Sequence, residues 1–290
     1  MNSSPLSASQ VFRQLLEAVK PRYEEREARA VARWYVEEKY GLTQTEVFMD
    51  KALPLSPTER EVLQEDCRRL AEGVPVQHVL GFAPFMGHRF VVNSSVLIPR
   101  PETEELVQWA WQCCGEAPVR MLDAGTGSGC IAISLAQRLP LAQVSAWDIS
   151  PAALSVARAN AAALGVEVDF VQCDLIAQSQ RPTFSAGSFD LLVSNPPYIR
   201  QKEMAEMEAH VVEHEPHLAL FVPDYDPLLF YRALAQLGQH LLTAGGRLLV
   251  ECHRDCVQQV ADLFSLLHYV QVEVRNDCFG LPRFVGAKKM

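Results

Sequence analysis

The feature that most constrains the fold of this chain is a short apolar segment that leads into a glycine-rich turn and then into an apolar helix. Residues 119–122 have the character of a buried strand, residues 123–129 read Asp-Ala-Gly-Thr-Gly-Ser-Gly, and residues 130–139 suit a buried helix. Glycine allows the backbone to turn tightly and to approach a ligand closely beside the first amides of a helix. The pattern predicts a strand, a ligand-binding turn and a helix within an α/β domain.

Strand-like and helix-like segments continue to alternate after this turn. An Ala-rich helix is predicted at 151–164, and further parallel strands are predicted at 144–147, 166–171, 189–193 and 247–250. Such alternation is typical of a mostly parallel sheet covered by helices on both faces. The last two strand-like segments, 269–274 and 283–286, look like a hairpin that adds an antiparallel strand at or near one edge. The predicted class is therefore α/β, with a Rossmann-like domain over residues 101–290.

The residues before this domain have a different character. Apolar residues recur at helical spacing in the first eighty positions, and Thr43 with Glu46 and Ser56 with Glu59 each fit a capping box. We predict a small helical bundle over residues 1–80, which serves either for packing or for substrate docking, and we favour docking. Residues 81–100 contain two short strand-like segments around Gly87 and are predicted to form a β-hairpin linker.

Composition narrows the function classes. The formal net charge of −9 and the scattered Lys and Arg residues disfavour a nucleic-acid partner, which usually requires clustered cations. The eight cysteines have no framework spacing, which favours a reducing cytoplasm. There is no basic segment followed by an apolar run at the start, and no apolar stretch of about 18 residues, so we expect neither a targeting segment nor a membrane partner.

The glycine-rich turn also indicates a cofactor. Its spacing is Gly-x-Gly-x-Gly after an acid, Asp123, whereas dinucleotide sites prefer Gly-x-Gly-x-x-Gly. An acid there would repel phosphate but would suit the ammonium group of a methionine moiety. Asp148 ends the next strand, where it can accept hydrogen bonds from ribose hydroxyls, and Asp174 ends the third, where it can meet an adenine amino group. We therefore expect S-adenosyl-L-methionine rather than a nicotinamide or flavin cofactor.

A second turn, Ser194-Asn195-Pro196-Pro197-Tyr198, follows the fourth strand of the sheet. Consecutive prolines make it rigid. The Asn195 side-chain oxygen and the Pro196 carbonyl can accept both N–H bonds of a planar nitrogen and turn its lone pair toward an electrophile. Tyr198 can lie against the planar group. The turn predicts methyl transfer to an amide or aryl amine, with Asn195, Pro196 and Tyr198 as catalytic residues.

Three further segments stand out, and they read Val-Leu-Ile-Pro-Arg-Pro-Glu-Thr-Glu at 96–104, Pro-Val-Gln-His-Val-Leu-Gly at 75–81 and Glu-Pro-His-Leu-Ala-Leu at 215–220. With these segments and the 195–198 turn, the chain resembles the HemK/PrmC family of protein-(glutamine-N5) methyltransferases. It covers about residue 75 to the C-terminus, and the helical first domain fits the family layout. The family pattern differs from this chain at Leu175, where many relatives have an aromatic residue, and at Cys252-His253, where a Gly-containing pair is expected.

The resemblance implies a class I methyltransferase domain that converts S-adenosyl-L-methionine to S-adenosyl-L-homocysteine. The implied substrate is the glutamine of the Gly-Gly-Gln loop in class I peptide chain release factors, held by Asn195, Pro196, Pro197 and Tyr198. Arg100 and Glu102 are expected to shape the rim of the substrate site. The expected cofactor-binding residues are Asp123, Gly125, Thr126, Gly127, Ser128, Gly129, Asp148, Asp174, Leu175 and Asn195.

Other interpretations remain open at this point. The 195–198 turn is shared with nucleic-acid adenine amino-methyltransferases, and a glutamine methyltransferase could also act on a ribosomal protein. A non-catalytic binding module could use the same fold. His210, His214 and His217 have a spacing that suggests a metal site, but the last overlaps the family segment at 215–220. We expect no metal, no direct nucleic-acid partner, a monomer and a cytoplasmic location.

Overall fold

The structure is a computed structural model that describes residues 6–115 and 118–290. The chain divides into two compact units. The first comprises Met1–Phe82 with Glu208–His214, and the second comprises Ala83–Met207 with Glu215–Met290. In the described residues, no helix is both long and apolar enough to cross a membrane.

The first unit is helical. Two short strands, β1 (Leu6–Ser7) and β2 (Ala52–Leu53), pair antiparallel beside its helices. The predicted capping boxes are confirmed, since the Thr43 and Ser56 side chains accept from the backbone amides of Glu46 and Glu59. The helices are α1 (Ala8–Val19), α2 (Glu25–Tyr40), α3 (Gln44–Phe48), α4 (Pro57–Ala71), α5 (Val76–Leu80) and α10 (Ala209–His214). Buried apolar residues of α1, α2, α4 and α5 form a common core.

A tight hairpin follows, with strands β3 (Phe82–Phe85) and β4 (His88–Val91). Its two turn residues, Met86 and Gly87, have φ of 50° and 80°. Two consecutive positive φ values match the twist of the flanking strands, as in a type I′ turn, and Gly87 adopts them without a Cβ clash. The predicted pair of short strands around a glycine is therefore confirmed.

The second unit is built on a seven-stranded sheet in the order β12-β13-β11-β8-β5-β6-β7. Five neighbouring strands are parallel, and β13 is antiparallel to both of its neighbours. This confirms the predicted α/β class and the antiparallel strand near one edge. The strands are β5 (Arg120–Ala124), β6 (Gln143–Asp148), β7 (Asp169–Gln172), β8 (Phe189–Ser194), β11 (Leu242–Glu251), β12 (Tyr269–Asn276) and β13 (Pro282–Lys289).

Helices of the second unit cover the sheet and enclose two large apolar clusters. Two further short strands, β9 (Ile199–Arg200) and β10 (Phe221–Val222), pair with each other. The helices are α6 (Pro101–Cys114), α7 (Cys130–Arg138), α8 (Pro151–Leu164), α9 (Leu175–Gln180), α11 (His217–Leu220), α12 (Leu229–Leu241) and α13 (Val257–Leu266), with 3₁₀ turns at Gln201–Glu206 and Arg254–Cys256.

Strand β7 is shorter than the segment 166–171 predicted for it. The amide of Val166 donates to the carbonyl of Ala161 at 3.1 Å, and that of Gly165 donates to Ala162 at 3.3 Å. These bonds close the C-terminal end of α8, with Gly165 in the left-handed region. The first apolar residues of the segment thus terminate the helix, and pairing with β6 begins only at Asp169.

Candidate active site

A cavity of about 240 Å³ lies at the carboxyl ends of the parallel strands, where the chain order reverses between β5 and β8. Ligands of open α/β sheets bind at such a reversal. Predicted site residues that line it are Arg100, Gly125, Thr126, Gly127, Ser128, Asp148, Asp174, Leu175, Asn195 and Pro197. A larger and more open depression of about 1040 Å³, beside β6 and β7, is lined by none of the predicted site residues.

The glycine-rich turn connects β5 to α7 with three residues of positive φ, Gly125 at 78°, Gly127 at 56° and Gly129 at 82°. Most of its amides are used within the protein. Those of Gly125 and Thr126 donate to the Trp147 carbonyl at 2.8 and 2.9 Å, and that of Gly127 donates to Asp148 Oδ2 at 2.9 Å. A pyrophosphate would need such amides as donors. Their commitment to β6 therefore argues against a dinucleotide and favours a ligand without phosphate.

Asp123 lies beneath the turn and outside the cavity lining. It is fully buried, and its Oδ2 accepts hydrogen bonds from the Thr126 hydroxyl at 2.6 Å and the Ala132 amide at 3.1 Å. Burial raises the pKa of this carboxyl to about 7, although these bonds act in the opposite direction. In the described part of the chain, Asp123 Oδ1 and Ser128 Oγ have no hydrogen-bond partner.

Two further acids border the cavity. Asp148, whose pKa is raised by burial, accepts from the amides of Gly127 and Ser150, so its carboxylate is fixed in place beside the turn. Asp174 caps α9, because its Oδ1 accepts from the amides of Ile176 and Ala177. Contacts of Asp148 with ribose and of Asp174 with adenine remain predictions.

These features fit S-adenosylmethionine. The cavity wall combines apolar side chains, among them Ile131, Ile149 and Leu175, with the acidic residues Asp148 and Asp174. An adenosine group needs apolar surface for its base and acceptors for its hydroxyls. Asp123 does not line this cavity, so its contact with the ammonium group of the cofactor remains a prediction.

The second turn begins where β8 ends. Ser194 Oγ donates to the Ala124 carbonyl at 2.6 Å and joins the ends of β8 and β5. Asn195 is half-buried, and its Nδ2 donates to Thr103 Oγ1 at 3.1 Å. Pro196 is buried outside the cavity lining, as is most of Tyr198, whose hydroxyl donates to Glu251 Oε1 at 3.3 Å. Because the amino group of Asn195 is engaged, its oxygen is the polar atom left to meet a ligand.

Of the two predicted rim residues, Arg100 lines the cavity and Glu102 does not. The Arg100 guanidinium donates to Glu215 Oε1 at 2.6 Å, while the other oxygen of Glu215 accepts from the Ile98 amide at 3.0 Å. Glu215 is 4% exposed and precedes Pro216, which lines the same cavity. This one carboxylate thus connects two segments of the cavity wall.

Four residues that organise the site were given no role from the sequence, although Thr103 and Glu215 lie in the quoted segments 96–104 and 215–220: Thr103, Asn160, Glu215 and Glu251. The buried Asn160 illustrates why. Its Nδ2 donates to the carbonyls of Val91 and Ser128, and its Oδ1 accepts from the Val91 amide, so that it braces the hairpin and the glycine-rich turn. A polar residue on the apolar face of an Ala-rich helix was the available signal. Such a residue must find partners when buried.

The buried carboxyls predict an unusual dependence of stability on pH. Burial raises the pKa of Glu251 to about 7, against the effects of Thr103, Arg283 and Tyr198. A raised pKa in the folded state means that its contribution to stability is fully present below the unfolded value, near 4.5, and is lost as the pH rises toward 7. We expect Glu251→Gln to remove this contribution, which is at most about 3 kcal/mol.

The measurement is urea unfolding at pH 5 and pH 8, followed by circular dichroism. The free energy of unfolding of Glu251→Gln should fall less than that of the unchanged protein between the two pH values. Glu206→Gln, at an exposed position, serves as the control and should follow the unchanged protein. Identical pH dependence for Glu251→Gln and the unchanged protein would show that Glu251 does not titrate in this range.

Comparison with known proteins agrees with this geometry. Residues 9–81 match the family described as PrmC N-terminal domain, and residues 113–218 match the Methyltransferase small domain. The release factor glutamine methyltransferase of Bacteroides thetaiotaomicron is 41% identical to this chain, with 92% of this chain and 95% of that protein covered. The protein of the same name from Chlorobaculum tepidum is 41% identical, with 84% of each chain covered.

Among solved structures, a methyltransferase from Pyrococcus furiosus has a TM-score of 0.51 to this chain, at 13% identity, and the match covers 81% of this chain and 99% of that one. This likeness concerns the fold. Together with the family match over residues 113–218, it confirms the predicted Rossmann-like methyltransferase domain.

Proposed function

The chain belongs to the family of release factor glutamine methyltransferases, and we propose that it methylates the N5 amide nitrogen of the glutamine in the Gly-Gly-Gln motif of class I peptide chain release factors. It is an S-adenosylmethionine-dependent methyltransferase. The names of its relatives support the release factor as substrate. The choice of the Gly-Gly-Gln glutamine rests on the resemblance to the family, and the choice of a planar amide nitrogen as the methyl acceptor rests on the chemistry of the 195–198 turn.

The observation that carries the proposal is the orientation of the Asn195 carboxamide. Its Nδ2 donates to Thr103 Oγ1, so Oδ1 is available to accept one N–H bond of a planar amide. The Pro196 side chain lies outside the cavity, but its carbonyl adjoins Pro197, which lines it, and we propose this carbonyl as the second acceptor, on a backbone that the two prolines make rigid. An amide held by both N–H bonds cannot rotate, and the acceptors stabilise positive charge that develops on its nitrogen.

When bound, S-adenosylmethionine supplies an electrophilic methyl group. The cofactor-binding residues of this chain are proposed to be those of the glycine-rich turn with Asp123, Asp148, Asp174, Leu175 and Asn195. Asp148 and the turn form one rigid unit through the Gly127 amide. Glu251 does not line the cavity, so the proton lost by the amide nitrogen goes to solvent rather than to this carboxyl.

We propose that the helical N-terminal domain, residues 1–80, docks the release factor. The match of residues 9–81 to the PrmC N-terminal domain supports a family-specific role for these helices. A docking surface away from the reacting glutamine predicts that a short Gly-Gly-Gln peptide has a KM at least about tenfold higher than intact release factor, since it lacks the remote contacts. Equal KM values would remove the case for docking. We further propose a monomeric cytoplasmic enzyme that binds no nucleic acid directly.

The direct test is transfer of labelled methyl from S-adenosylmethionine to purified release factor, with the modified residue identified by mass spectrometry. We expect one methyl group on the Gly-Gly-Gln glutamine, and none on a release factor in which that glutamine is replaced by alanine. Label on a ribosomal protein alone, or on adenine in bare DNA or RNA, would overturn the proposed substrate.

A further inference from the structure

The carboxyl group of Glu251 is buried outside the cavity, and a series of hydrogen bonds connects it to the 195–198 turn. Glu251 is 1% exposed at the end of β11, and Thr103 is 2% exposed in the first turn of α6. Asn195 Nδ2 donates to Thr103 Oγ1 at 3.1 Å, and Thr103 Oγ1 donates to Glu251 Oε2 at 2.8 Å. The other oxygen of Glu251 accepts from the Tyr198 hydroxyl at 3.3 Å.

The donors and acceptors in this chain have a fixed direction. Above the raised pKa of Glu251, about 7, its carboxylate only accepts, and a threonine hydroxyl has one hydrogen to donate. Since the Thr103 hydrogen is directed to Glu251, only lone pairs of Thr103 Oγ1 face Asn195. The group of Asn195 that meets them must therefore be the amino group. A flipped carboxamide would bring two acceptors together and would present N–H groups to the substrate.

Glu251 also acts on the other end of the turn. Tyr198 is three residues after Asn195, and its hydroxyl is bound to the same carboxyl. Glu251 thus restrains both ends of the 195–198 turn, one directly and one through Thr103. Neither Thr103 nor Glu251 is part of the turn, and they belong to α6 and β11.

We propose that Thr103 and Glu251 are positioning residues that set the direction of the Asn195 carboxamide, so that Oδ1 rather than Nδ2 faces the substrate amide. This inference rests on the proposed function, in which the 195–198 turn holds a planar substrate amide that donates its N–H bonds. Thr103 lines the cavity wall, but its hydroxyl acts here through Asn195.

The test compares Thr103→Val, which keeps the side-chain volume and removes the hydroxyl, with Thr103→Ser, which keeps the hydroxyl. We expect kcat of Thr103→Val to fall about 10- to 100-fold, which corresponds to the loss of one oriented hydrogen bond in the transition state. Thr103→Ser should stay within about threefold of the unchanged enzyme. The Kd of S-adenosylmethionine, measured by calorimetry, should change less than about threefold in both.

A double-variant cycle distinguishes positioning from a general structural effect. In an Asn195→Ala background there is no carboxamide to orient, so adding Thr103→Val should not lower kcat further. Single-turnover transfer of labelled methyl to release factor measures all four proteins. If valine disturbs folding, as seen by circular dichroism, Thr103→Ala provides the same comparison.

Two results would overturn the inference: unchanged kcat in Thr103→Val, or the same fold loss from Thr103→Val with and without Asn195. Failure of the proposed function looks different. In that case the unchanged enzyme would produce no methylglutamine on release factor, whatever the Thr103 variants do.

Discussion

Asn195→Ala should lower kcat about 10²- to 10³-fold while the Kd of S-adenosylmethionine stays within about threefold, an effect of the size seen when one transition-state hydrogen bond is removed. The carboxamide of Asn195 is the only side chain of the 195–198 turn with an acceptor on the cavity wall. Alanine removes that acceptor but leaves the backbone rigid, because the two following prolines are retained. Because Asn195 is one of several proposed cofactor-binding residues, the loss should fall mainly on kcat, with cofactor binding largely kept.

Single-turnover transfer to release factor gives the rate, and calorimetry gives the affinity for the cofactor. Asn276→Ala, at an exposed position of β12, is a matched control and should behave as the unchanged enzyme. Asn195→Ala with undiminished turnover would contradict the assigned mechanism. A parallel loss of cofactor affinity would instead assign Asn195 to cofactor binding alone.

Gly129→Ala should destabilise the protein by about 2–4 kcal/mol and weaken S-adenosylmethionine binding at least about tenfold. Gly129 precedes α7 with φ of 82°, a region that costs an L-residue about 1–2 kcal/mol. A Cβ there would also lie 2.8 Å from Ile133 Cδ1 and 3.1 Å from Ala157 Cβ. The Ile133 side chain can rotate, but the Cβ of Ala157 cannot, so the turn has to shift relative to α8, which displaces residues that line the cavity.

Gly165→Ala separates the cost of the positive φ from the cost of the Cβ contacts. Gly165 ends α8 with φ of 68°, and a Cβ there would meet nothing within 4 Å. Gly165→Ala should lower the free energy of unfolding by only about 1–2 kcal/mol and leave cofactor affinity unchanged. Thermal unfolding and calorimetry compare the two variants. Equal losses of stability and affinity in both would show that the contacts of Gly129 with α7 and α8 carry no part of the effect.

The sequence was sufficient to predict the mostly parallel sheet and the two turns at its edge. Alternating apolar strands and helices imply parallel pairing, and carboxyl ends of parallel strands meet at one edge of a sheet. The turns after β5 and β8 could therefore be expected near each other, as the Ser194 to Ala124 hydrogen bond confirms. The capping boxes at Ser56 and Thr43 could also be predicted from the sequence, because their partners are three residues away.

At some positions, hydrogen bonds that cap or close a helix compete with another role of the same residues. The pattern of apolar residues in the sequence does not reveal which role is adopted. The apolar residues before Asp169 suit a strand, but the amides of Gly165 and Val166 close α8 instead. Asp174 could be assigned by its position after a strand, yet one of its oxygens is used to cap α9. Local hydrogen bonds form within a few residues and take precedence over pairing at a sheet edge.

What the sequence determined by itself is the fold class, the glycine-rich turn and the acceptors of the 195–198 turn, since each depends on periodicity or on neighbouring residues. Only the tertiary structure decided how those acceptors are held. Asn195 meets Thr103 across 92 residues, Thr103 meets Glu251 across 148, and Arg100 meets Glu215 across 115. Buried polar groups must be paired, but which distant residue supplies the partner depends on how helices and strands pack, and no local pattern encodes that choice.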